Sequence, residues 1–220
     1  MSSAADRRQH ILDAIASAAK LAQRDPADVQ LIAVSKGRAV EEIEPLIDAG
    51  HRDFGESRVQ EAQGKWANLL ARYPDVRLHG IGRLQSNKAV EAIQLFDVIH
   101  ALDRQSLLDA LVKEGERTGR CPSVYVQVNI GDEEQKGGCA IAETGELIAA
   151  VRDSPLPLAG LMCIPPLGLE PAPYFALLAK LGHRHGVMTY SMGMSADYKA
   201  AVMLGATAVR VGTALFEDEC

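Results

Sequence analysis

Cysteine is scarce in this sequence, and so are the patterns typical of secreted or nucleic-acid-binding proteins. The chain has four cysteines in 220 residues, none in a C-x-x-C spacing, which indicates reduced thiols in a cytosolic protein. No basic block alternates with aromatic residues, and 29 acidic side chains outnumber 23 basic ones. This charge pattern argues against nucleic acid and favours a small-molecule partner.

Long apolar runs are also missing. Residues 1–24 carry charged side chains among alanines and are too polar for a signal peptide, and no apolar segment approaches the length of a membrane span. No internal repeat, low-complexity segment or Gly/Ser linker divides the chain. We therefore expect a soluble, intracellular protein with no membrane contact, folded as one domain over residues 1–220.

Segments typical of strands alternate with segments of helical period. The strands are predicted at VQLIAVSK, HRDFG, VRLHGIG, FDVIHALD, SVYVQVNI, LAGLMCIP, VMTYSMG and ATAVRVGT. The helices are predicted at 39–49, 57–72, 86–93, 104–118, 141–152, 171–185 and 195–204, after an extra helix at 3–23. This order predicts the α/β class and a closed (β/α)8 TIM barrel on which the N-terminal helix, within residues 1–24, packs. HRDFG has low strand propensity, and VMTYSMG reads equally well as a loop.

Lys36 ends the apolar run of the first predicted strand. Chemistry in such barrels lies at the carboxyl ends of the strands, so the side chain can point into the barrel mouth. Burial there would lower the pKa of the amine, and a neutral amine forms a Schiff base with an aldehyde. The alternative is a lysine that leans outward and pairs with a rim carboxylate such as Glu56.

Two turns rich in Ser, Gly and Thr follow the seventh and eighth predicted strands. The first contains Ser191, Gly193 and Ser195, and the second contains Gly212 and Thr213. Hydroxyls and closely approaching backbone N–H groups suit a phosphate, and these loops are where barrels of this kind bind phosphate groups. The alternative is ordinary N-capping by Ser195. A lysine opposite a phosphate site points to a phosphorylated aldehyde such as pyridoxal phosphate.

Five ordered segments carry a resemblance over nearly the whole chain. They are AVSK, DFGESRVQEA, LHGIGRLQSNK, GLMCIPP and SMGMSADYKAAVMLGATAVRVGTALF. The sequence resembles the pyridoxal phosphate homeostasis proteins, relatives of the N-terminal barrel of alanine racemase. The resemblance implies a fold-type III barrel that holds pyridoxal 5'-phosphate as an internal aldimine on Lys36. It also implies a role in buffering or delivering the cofactor, without established catalytic activity.

The resemblance assigns the cofactor contacts residue by residue. The implied cofactor-binding residues are Lys36, Ser57, His79, Met162, Ser191, Gly193, Arg210, Gly212 and Thr213. His79 and Met162 match positions that line the ring. Ser191, Gly193, Gly212 and Thr213 match positions that hold the phosphate.

Arg210 matches an arginine that lies opposite the pyridine nitrogen. A guanidinium there would keep that nitrogen unprotonated and weaken the ring as an electron sink. Without the resemblance, Arg210 also reads as a strand residue paired with a neighbouring carboxylate.

The sequence departs from the family pattern in three places. Ser57 stands where the family usually has an asparagine near the cofactor, and Gly80 replaces an aromatic residue. The segment between Pro166 and Tyr190 looks shorter than usual. The first two departures would loosen the pocket around the ring, and the third would shorten the sixth helix of the barrel.

Other candidate groups are weaker. His183 and His185 lie two residues apart with no third ligand, so we predict no metal site. Cys163 reads as a small buried residue and not as a nucleophile. Glu133, Glu134 and Lys136 predict a solvated loop, although the family has a comparable Glu and Lys that cover the pocket.

Two classes of function remain open. One is a non-catalytic carrier, expected to be a monomer, that exchanges pyridoxal phosphate with apo-enzymes dependent on it. The other is an enzyme, either a pyridoxal-phosphate racemase or a Schiff-base aldolase. The sequence ends at Cys220, just past the eighth predicted strand, without the second domain that supplies an acid or base in racemases. This expectation favours the carrier.

Overall fold

The computed structural model describes residues 2–133 and 135–217, and its centre is a closed barrel of eight parallel strands. Each strand pairs with the next in sequence, and β8 closes the barrel against β1. The strands are β1 Gln30–Val34, β2 Asp53–Glu56, β3 Arg77–Gly80, β4 Val98–Leu102, β5 Ser123–Gln127, β6 Leu158–Met162, β7 Tyr190–Ser191 and β8 Ala208–Val211. The prediction of a (β/α)8 barrel is confirmed, including both weak strand predictions.

Helices follow the strands around the outside of the barrel. They are α1 Ala4–Leu21, α2 Val40–Asp48, α3 Val59–Arg72, α4 Ala89–Leu95, α5 Gln105–Thr118, α6 Thr144–Arg152, α7 Ala172–Arg184, α8 Tyr198–Met203 and α9 Thr213–Phe216. Single 3-10 turns occur at Pro26–Asp28, Ser86–Lys88 and Ile141–Glu143. The short helix α9 was not predicted, because four residues are too few to display a helical period. No helix among the described residues is long and apolar enough to cross a membrane.

The N-terminal helix predicted at 3–23 is confirmed as α1. Ser3 and Asp6 form a capping box that satisfies backbone N–H groups at its start. Ile11 and Ile15 are buried in the contact of α1 with the barrel. Arg7 Nε donates to the Leu215 carbonyl at 2.8 Å, which ties α1 to the segment after β8.

Successive residues of the strands point alternately to the helices and to the barrel interior. The outward residues, such as Leu78, Val209 and Val211, belong to the hydrophobic core between strands and helices. The residues between them include two buried polar side chains, His79 and Arg210. The apolar core therefore lies outside the strands, and the barrel interior carries buried polar groups.

Candidate functional site

Lys36 lies two residues beyond the end of β1, at the carboxyl rim of the barrel. Its side chain is exposed, and it forms no hydrogen bond or ion pair with any described residue. It does not pair with Glu56, so that alternative is wrong. The expectation that its amine is buried is also wrong, because the run of buried residues ends at Ser35. Lys36 is thus a solvent-accessible amine at the barrel mouth.

Glu56 instead accepts three hydrogen bonds on one oxygen beneath the Lys36 segment. Its Oε1 receives the Ser35 hydroxyl at 2.7 Å, the Lys65 ammonium at 2.9 Å and the Trp66 indole N–H at 2.9 Å. The Lys65 Nζ also donates to the Ser35 carbonyl at 2.7 Å. Both polar groups of Ser35 are therefore held by residues outside β1.

The backbone on the other side of Lys36 is held as well. The Gly37 N–H donates to Glu61 Oε1 at 2.6 Å, and Lys65 Nζ contacts the same oxygen at 3.3 Å. Gly37 has a φ of +70°, a conformation that glycine adopts without strain. The main chain around Lys36 is clamped by α3, while its side chain is free.

The Lys36 segment lies beside the segment that follows β8. Ala33 is in register with Val211, and a Cβ at Gly212 would lie 3.4 Å from Val34. Thr213 follows at the same rim and is exposed. Lys36 and the Gly212–Thr213 turn therefore leave the barrel side by side.

The turn after β7 packs against the same turn. Ser195 Oγ accepts a hydrogen bond from the Gly212 N–H at 3.2 Å, and the Gly193 carbonyl accepts one from the Arg210 N–H at 2.9 Å. Gly193 has a φ of +93°, and a Cβ there would lie 2.5 Å from the Ala201 side chain. Only glycine permits this close approach to α8. The two predicted turns thus form one polar cradle at the rim.

Ser195 and Ser191 occupy different places. Asp197, not Ser195, is the N-cap residue of α8, so the N-capping alternative for Ser195 is wrong. Ser191 is fully buried in the barrel interior, where its Oγ contacts Arg210 and His100. Ser195 is not among the cofactor contacts that the resemblance implies, although it lies in the same S-M-G-M-S motif as Ser191. The hydroxyl that meets Gly212 in the cradle is that of Ser195.

Arg210 is a buried cation that forms hydrogen bonds with neutral oxygen atoms. Its Nη1 donates to Ser191 Oγ at 2.5 Å and its Nη2 to the Cys163 carbonyl at 3.0 Å. No carboxylate among the described residues forms an ion pair with it, so the alternative of a neighbouring carboxylate is wrong. Burial lowers the pKa of the guanidinium from its ordinary value, although an arginine stays protonated at neutral pH.

Cys163, whose carbonyl accepts from this guanidinium, directly follows Met162 at the end of β6. Both side chains are fully buried. Burial raises the pKa of the Cys163 thiol to about 12, which keeps the thiol protonated and supports the prediction that it is not a nucleophile. Met162 is in register with Ser191 on β7.

His79 is also buried and contacts other polar side chains. Its Nδ1 lies 3.0 Å from His100 Nε2, and its Nε2 lies 3.2 Å from Asp53 Oδ1. His100 was not predicted as a site residue. The available signal was a histidine within the otherwise apolar strand segment VIHAL, since an interior strand position rarely carries a polar side chain without a partner.

The two departures Ser57 and Gly80 line the same cavity. Its volume is about 240 Å³, and Phe96 lines it as well. A Cβ at Gly80 would lie 2.8 Å from the Phe96 ring. The space that a side chain at position 80 would need is thus taken by Phe96.

The remaining candidates are the predicted histidine pair, the loop after β5 and two residues that the structure does not describe. The described ranges contain no group of three or more His, Cys, Asp or Glu side chains arranged to hold a metal ion. Lys136 Nζ donates to the Pro165 carbonyl at 2.9 Å and ties the loop after β5 to the loop after β6. Glu134 and Cys220 lie outside the residues that the structure describes.

Comparison with known proteins defines the class of this barrel. The family model of the alanine racemase N-terminal domain matches residues 11–219. The barrel of alanine racemase from Corynebacterium glutamicum has a TM-score of 0.66 at 16% identity and covers 94% of this chain and 61% of that one, a likeness of fold alone.

More similar relatives narrow the class to one family. The pyridoxal phosphate homeostasis protein of Pseudomonas aeruginosa is 42% identical and covers 98% of this chain and 96% of its own length. The protein of that name in Escherichia coli K12 is 37% identical, with 98% and 97% covered. PipY of Synechococcus elongatus PCC7942, solved with pyridoxal phosphate bound, has a TM-score of 0.80 at 39% identity, with 92% and 100% covered. The chain belongs to the pyridoxal phosphate homeostasis protein family.

Proposed function

We propose that this protein binds pyridoxal phosphate at the carboxyl rim of its barrel, attaches it covalently through Lys36 and contributes to cofactor homeostasis without catalytic turnover. The observation that carries the proposal is the exposed Lys36 amine, which pairs with no described residue, beside the cradle of Ser195, Gly212 and Thr213. The names of the relatives and the pyridoxal phosphate in PipY support the choice of ligand.

The donors at the rim fit the chemistry of this cofactor. Pyridoxal phosphate supplies an aldehyde that reacts with amines and an aromatic ring that withdraws electrons. A free lysine amine matches the aldehyde, and the Gly212 N–H with the Ser195 and Thr213 hydroxyls matches a phosphate. In the structure, the Gly212 N–H meets only the Ser195 hydroxyl, which is itself able to turn and donate to an anion.

Arg210 supports the non-catalytic part of the proposal. A guanidinium is a permanent donor and cannot act as a base or deliver a proton at neutral pH. If the ring nitrogen faces Arg210, as the resemblance implies, this side chain orients the ring without protonating it. His79 and Met162 are buried and would support the ring from below, and Ser57 would border it at the cavity.

Covalent attachment is tested by trapping. Wild-type protein, Lys36→Ala and the control Lys113→Ala are incubated with pyridoxal phosphate, reduced with borohydride and weighed by intact mass spectrometry. Lys113 is an exposed lysine on α5, far along the chain from the rim. Wild type and Lys113→Ala should each gain one cofactor mass, and Lys36→Ala should gain none. Attachment to Lys36→Ala at wild-type level would refute the role of Lys36.

The cradle is tested by comparing pyridoxal phosphate with pyridoxal. Ser195→Ala and Thr213→Ala should each weaken binding of the phosphorylated ligand by about 1 to 3 kcal/mol, the range for losing a charge-assisted hydrogen bond. Binding of pyridoxal should stay unchanged, since it has no phosphate. Equal losses for both ligands would show that these hydroxyls do not contact the phosphate.

The absence of turnover needs its own measurement. The cofactor-loaded protein is incubated with L-alanine, and the D-enantiomer is followed by chiral chromatography. We expect no multiple-turnover conversion. Formation of D-alanine at rates on the order of 1 per second, within the usual range for enzymes, would move the racemase alternative to first place. Delivery to apo-enzymes would appear as faster activation of an apo-aminotransferase by loaded protein than by buffer with equal free cofactor.

A further inference from the structure

A continuous chain of hydrogen bonds crosses the barrel interior from Arg210 to Asp53. Arg210 Nη1 lies 2.5 Å from Ser191 Oγ, which lies 2.8 Å from His100 Nδ1. His100 Nε2 lies 3.0 Å from His79 Nδ1, and His79 Nε2 lies 3.2 Å from Asp53 Oδ1. The hydrogen bonds run from β8 through β7, β4 and β3 to the first residue of β2.

The chemistry of each group gives this chain a direction. A guanidinium only donates, so Ser191 Oγ accepts from Arg210 and offers its own hydrogen to His100 Nδ1. A neutral imidazole that accepts on one nitrogen donates from the other, so His100 Nε2 carries the proton. It donates to His79 Nδ1, and His79 Nε2 then donates to the Asp53 carboxylate. Every donor in the chain meets an acceptor.

The opposite direction leaves unfavourable contacts at both ends. If His100 Nδ1 donated to Ser191, the hydroxyl would receive two hydrogen bonds and lose the acceptor for its own hydrogen. A neutral His79 would then turn an unprotonated Nε2 toward the Asp53 carboxylate, so that two lone pairs would face each other at 3.2 Å. Reversal therefore requires an additional proton on His79.

The surroundings of His100 favour its neutral form and hold its ring in place. Burial, with the nearby His79 and Arg210, lowers the pKa of His100 well below the ordinary value. The Tyr125 ring stacks on the imidazole at a centroid distance of 4.4 Å and an interplanar angle of 19°. Rotation of the imidazole would break this stacking and both hydrogen bonds.

We propose that His100 and His79, both neutral and protonated on Nε2, are positioning residues that act through Ser191 to hold the Arg210 guanidinium toward the cofactor ring. Because Arg210 meets only neutral oxygens, its charge is not cancelled by direct contact with a carboxylate. The Asp53 charge lies at the far end of the chain and polarises the intervening hydrogen bonds. The positioning role of the histidines toward the cofactor ring rests on the proposed function. The direction of the hydrogen bonds from Arg210 to Asp53 does not.

The direction of the hydrogen bonds from Arg210 to Asp53 is tested on cofactor-free protein. Long-range 1H–15N correlation spectra at pH 7.5 distinguish the two neutral tautomers and the cation of each histidine, and His100→Gln and His79→Gln assign the signals. We expect both rings to carry the proton on Nε2. A proton on Nδ1 of either ring, or a cationic imidazole, would overturn the proposed direction. This result does not depend on whether the protein binds pyridoxal phosphate.

The positioning role is tested on protein loaded with pyridoxal phosphate. His100→Phe keeps an aromatic ring beside Tyr125 but removes both hydrogen bonds. His51→Phe is the control, because His51 is buried and meets Asp53 at the backbone carbonyl and not at the carboxylate that accepts from His79. The pH at which the visible band of the bound cofactor changes should shift by about one unit in His100→Phe. The shift should be smaller in His100→Gln, whose amide retains one donor and one acceptor, and absent in His51→Phe.

Two outcomes separate the positioning role of the histidines from the proposed function. An equal shift in His100→Phe and His51→Phe would overturn the positioning role, because a general effect of altering a buried histidine would then explain both. Wild-type protein without any visible band would refute the proposed function. The histidine tautomers in cofactor-free protein would still decide the direction of the hydrogen bonds.

Discussion

Lys65, whose side chain is 9% exposed, and the buried Arg210 are both cations near the carboxyl rim, but their partners differ. The Lys65 ammonium lies 2.9 Å from the Glu56 carboxylate and 3.3 Å from that of Glu61. The Arg210 guanidinium contacts the Ser191 hydroxyl and the Cys163 carbonyl, both neutral. A buried charge that loses hydration without gaining a counterion costs stability. Lys65 therefore contributes to a structural clamp, while the Arg210 charge meets no carboxylate among the described residues.

The comparison also separates the two sides of the mouth. The Lys65 side holds the backbone around Lys36 and leaves its side chain exposed. The Arg210 side holds a cation through a chain of neutral groups that ends at Asp53. A preorganised binding site needs rigid support, which the Lys65 side supplies, and a charge without a counterion, which the Arg210 side supplies.

The largest expected effect is the loss of the Lys65 ammonium. Lys65→Met keeps the length of the side chain but leaves the Glu56 carboxylate buried without a counterion. We expect the free energy of unfolding to fall by about 3 to 5 kcal/mol, the range for removing one partner of a buried ion pair. Urea unfolding followed by circular dichroism measures it. A loss as small as that of an exposed pair would contradict the assignment of Lys65 as a structural cation.

Acid should destabilise the protein through its buried neutral histidines. Burial lowers the pKa of His51 to about 4, below the ordinary value near 6.5. The unfolded chain then binds more protons between these values, so stability falls as the pH decreases from about 6.5 to about 4, by roughly 1.4 kcal/mol per unit and about 3 kcal/mol in total. His100 acts in the same direction.

His51→Phe isolates that contribution. Urea midpoints are measured at pH 7, 5.5 and 4.5 for both proteins. The variant should lose less stability than wild type over this range, because it has no proton to take up at this position. An equal pH dependence would mean that His51 does not titrate as a buried neutral group.

Arg210→Met should change stability less than Lys65→Met. The substitution removes two hydrogen bonds from a charged group, which costs stability, but it also removes a buried charge without a counterion. We expect these effects to offset each other to within about 2 kcal/mol. Binding of pyridoxal phosphate should nevertheless weaken. Destabilisation equal to that of Lys65→Met would show that Arg210 and Lys65 contribute equally to stability.

The smallest expected effect belongs to an exposed pair. Arg117 Nε lies 2.7 Å from Glu114 Oε2 on α5, and the arginine side chain is 56% exposed. Arg117→Ala should cost less than about 1 kcal/mol, because solvent screens the pair and the long side chain loses entropy when it is held. The same urea titration provides the reference against which the Lys65 effect is judged.

The element pattern was predictable because its signal is local. Eight apolar segments and the helical periods between them were sufficient for the barrel, and the strand end at Lys36 was correctly expected at the carboxyl rim. The pairing of Glu56 was not predictable in the same way. That carboxylate is paired with Lys65, nine residues away on α3, and not with Lys36. The sequence did not predict this contact, because it depends on how α3 packs against β1.

The two serines of S-M-G-M-S illustrate the same limit at shorter range. The motif alone indicated a polar turn, and both serines qualified as phosphate donors. The strand β7 ends at Ser191, so that side chain turns into the barrel and meets His100, 91 residues earlier in the chain. Ser195, beyond the strand, remains at the rim beside Gly212.

By itself the sequence determined the order of strands and helices, the apolar core between them and the set of polar residues at strand ends, because each follows from side-chain periodicity over a few residues. Only the tertiary structure decided which polar groups meet. The contacts of Arg210 with Cys163 and of His79 with Asp53 join different strands. They exist because closure of the barrel brings these strands around one interior, where burial makes a partner obligatory for each polar side chain.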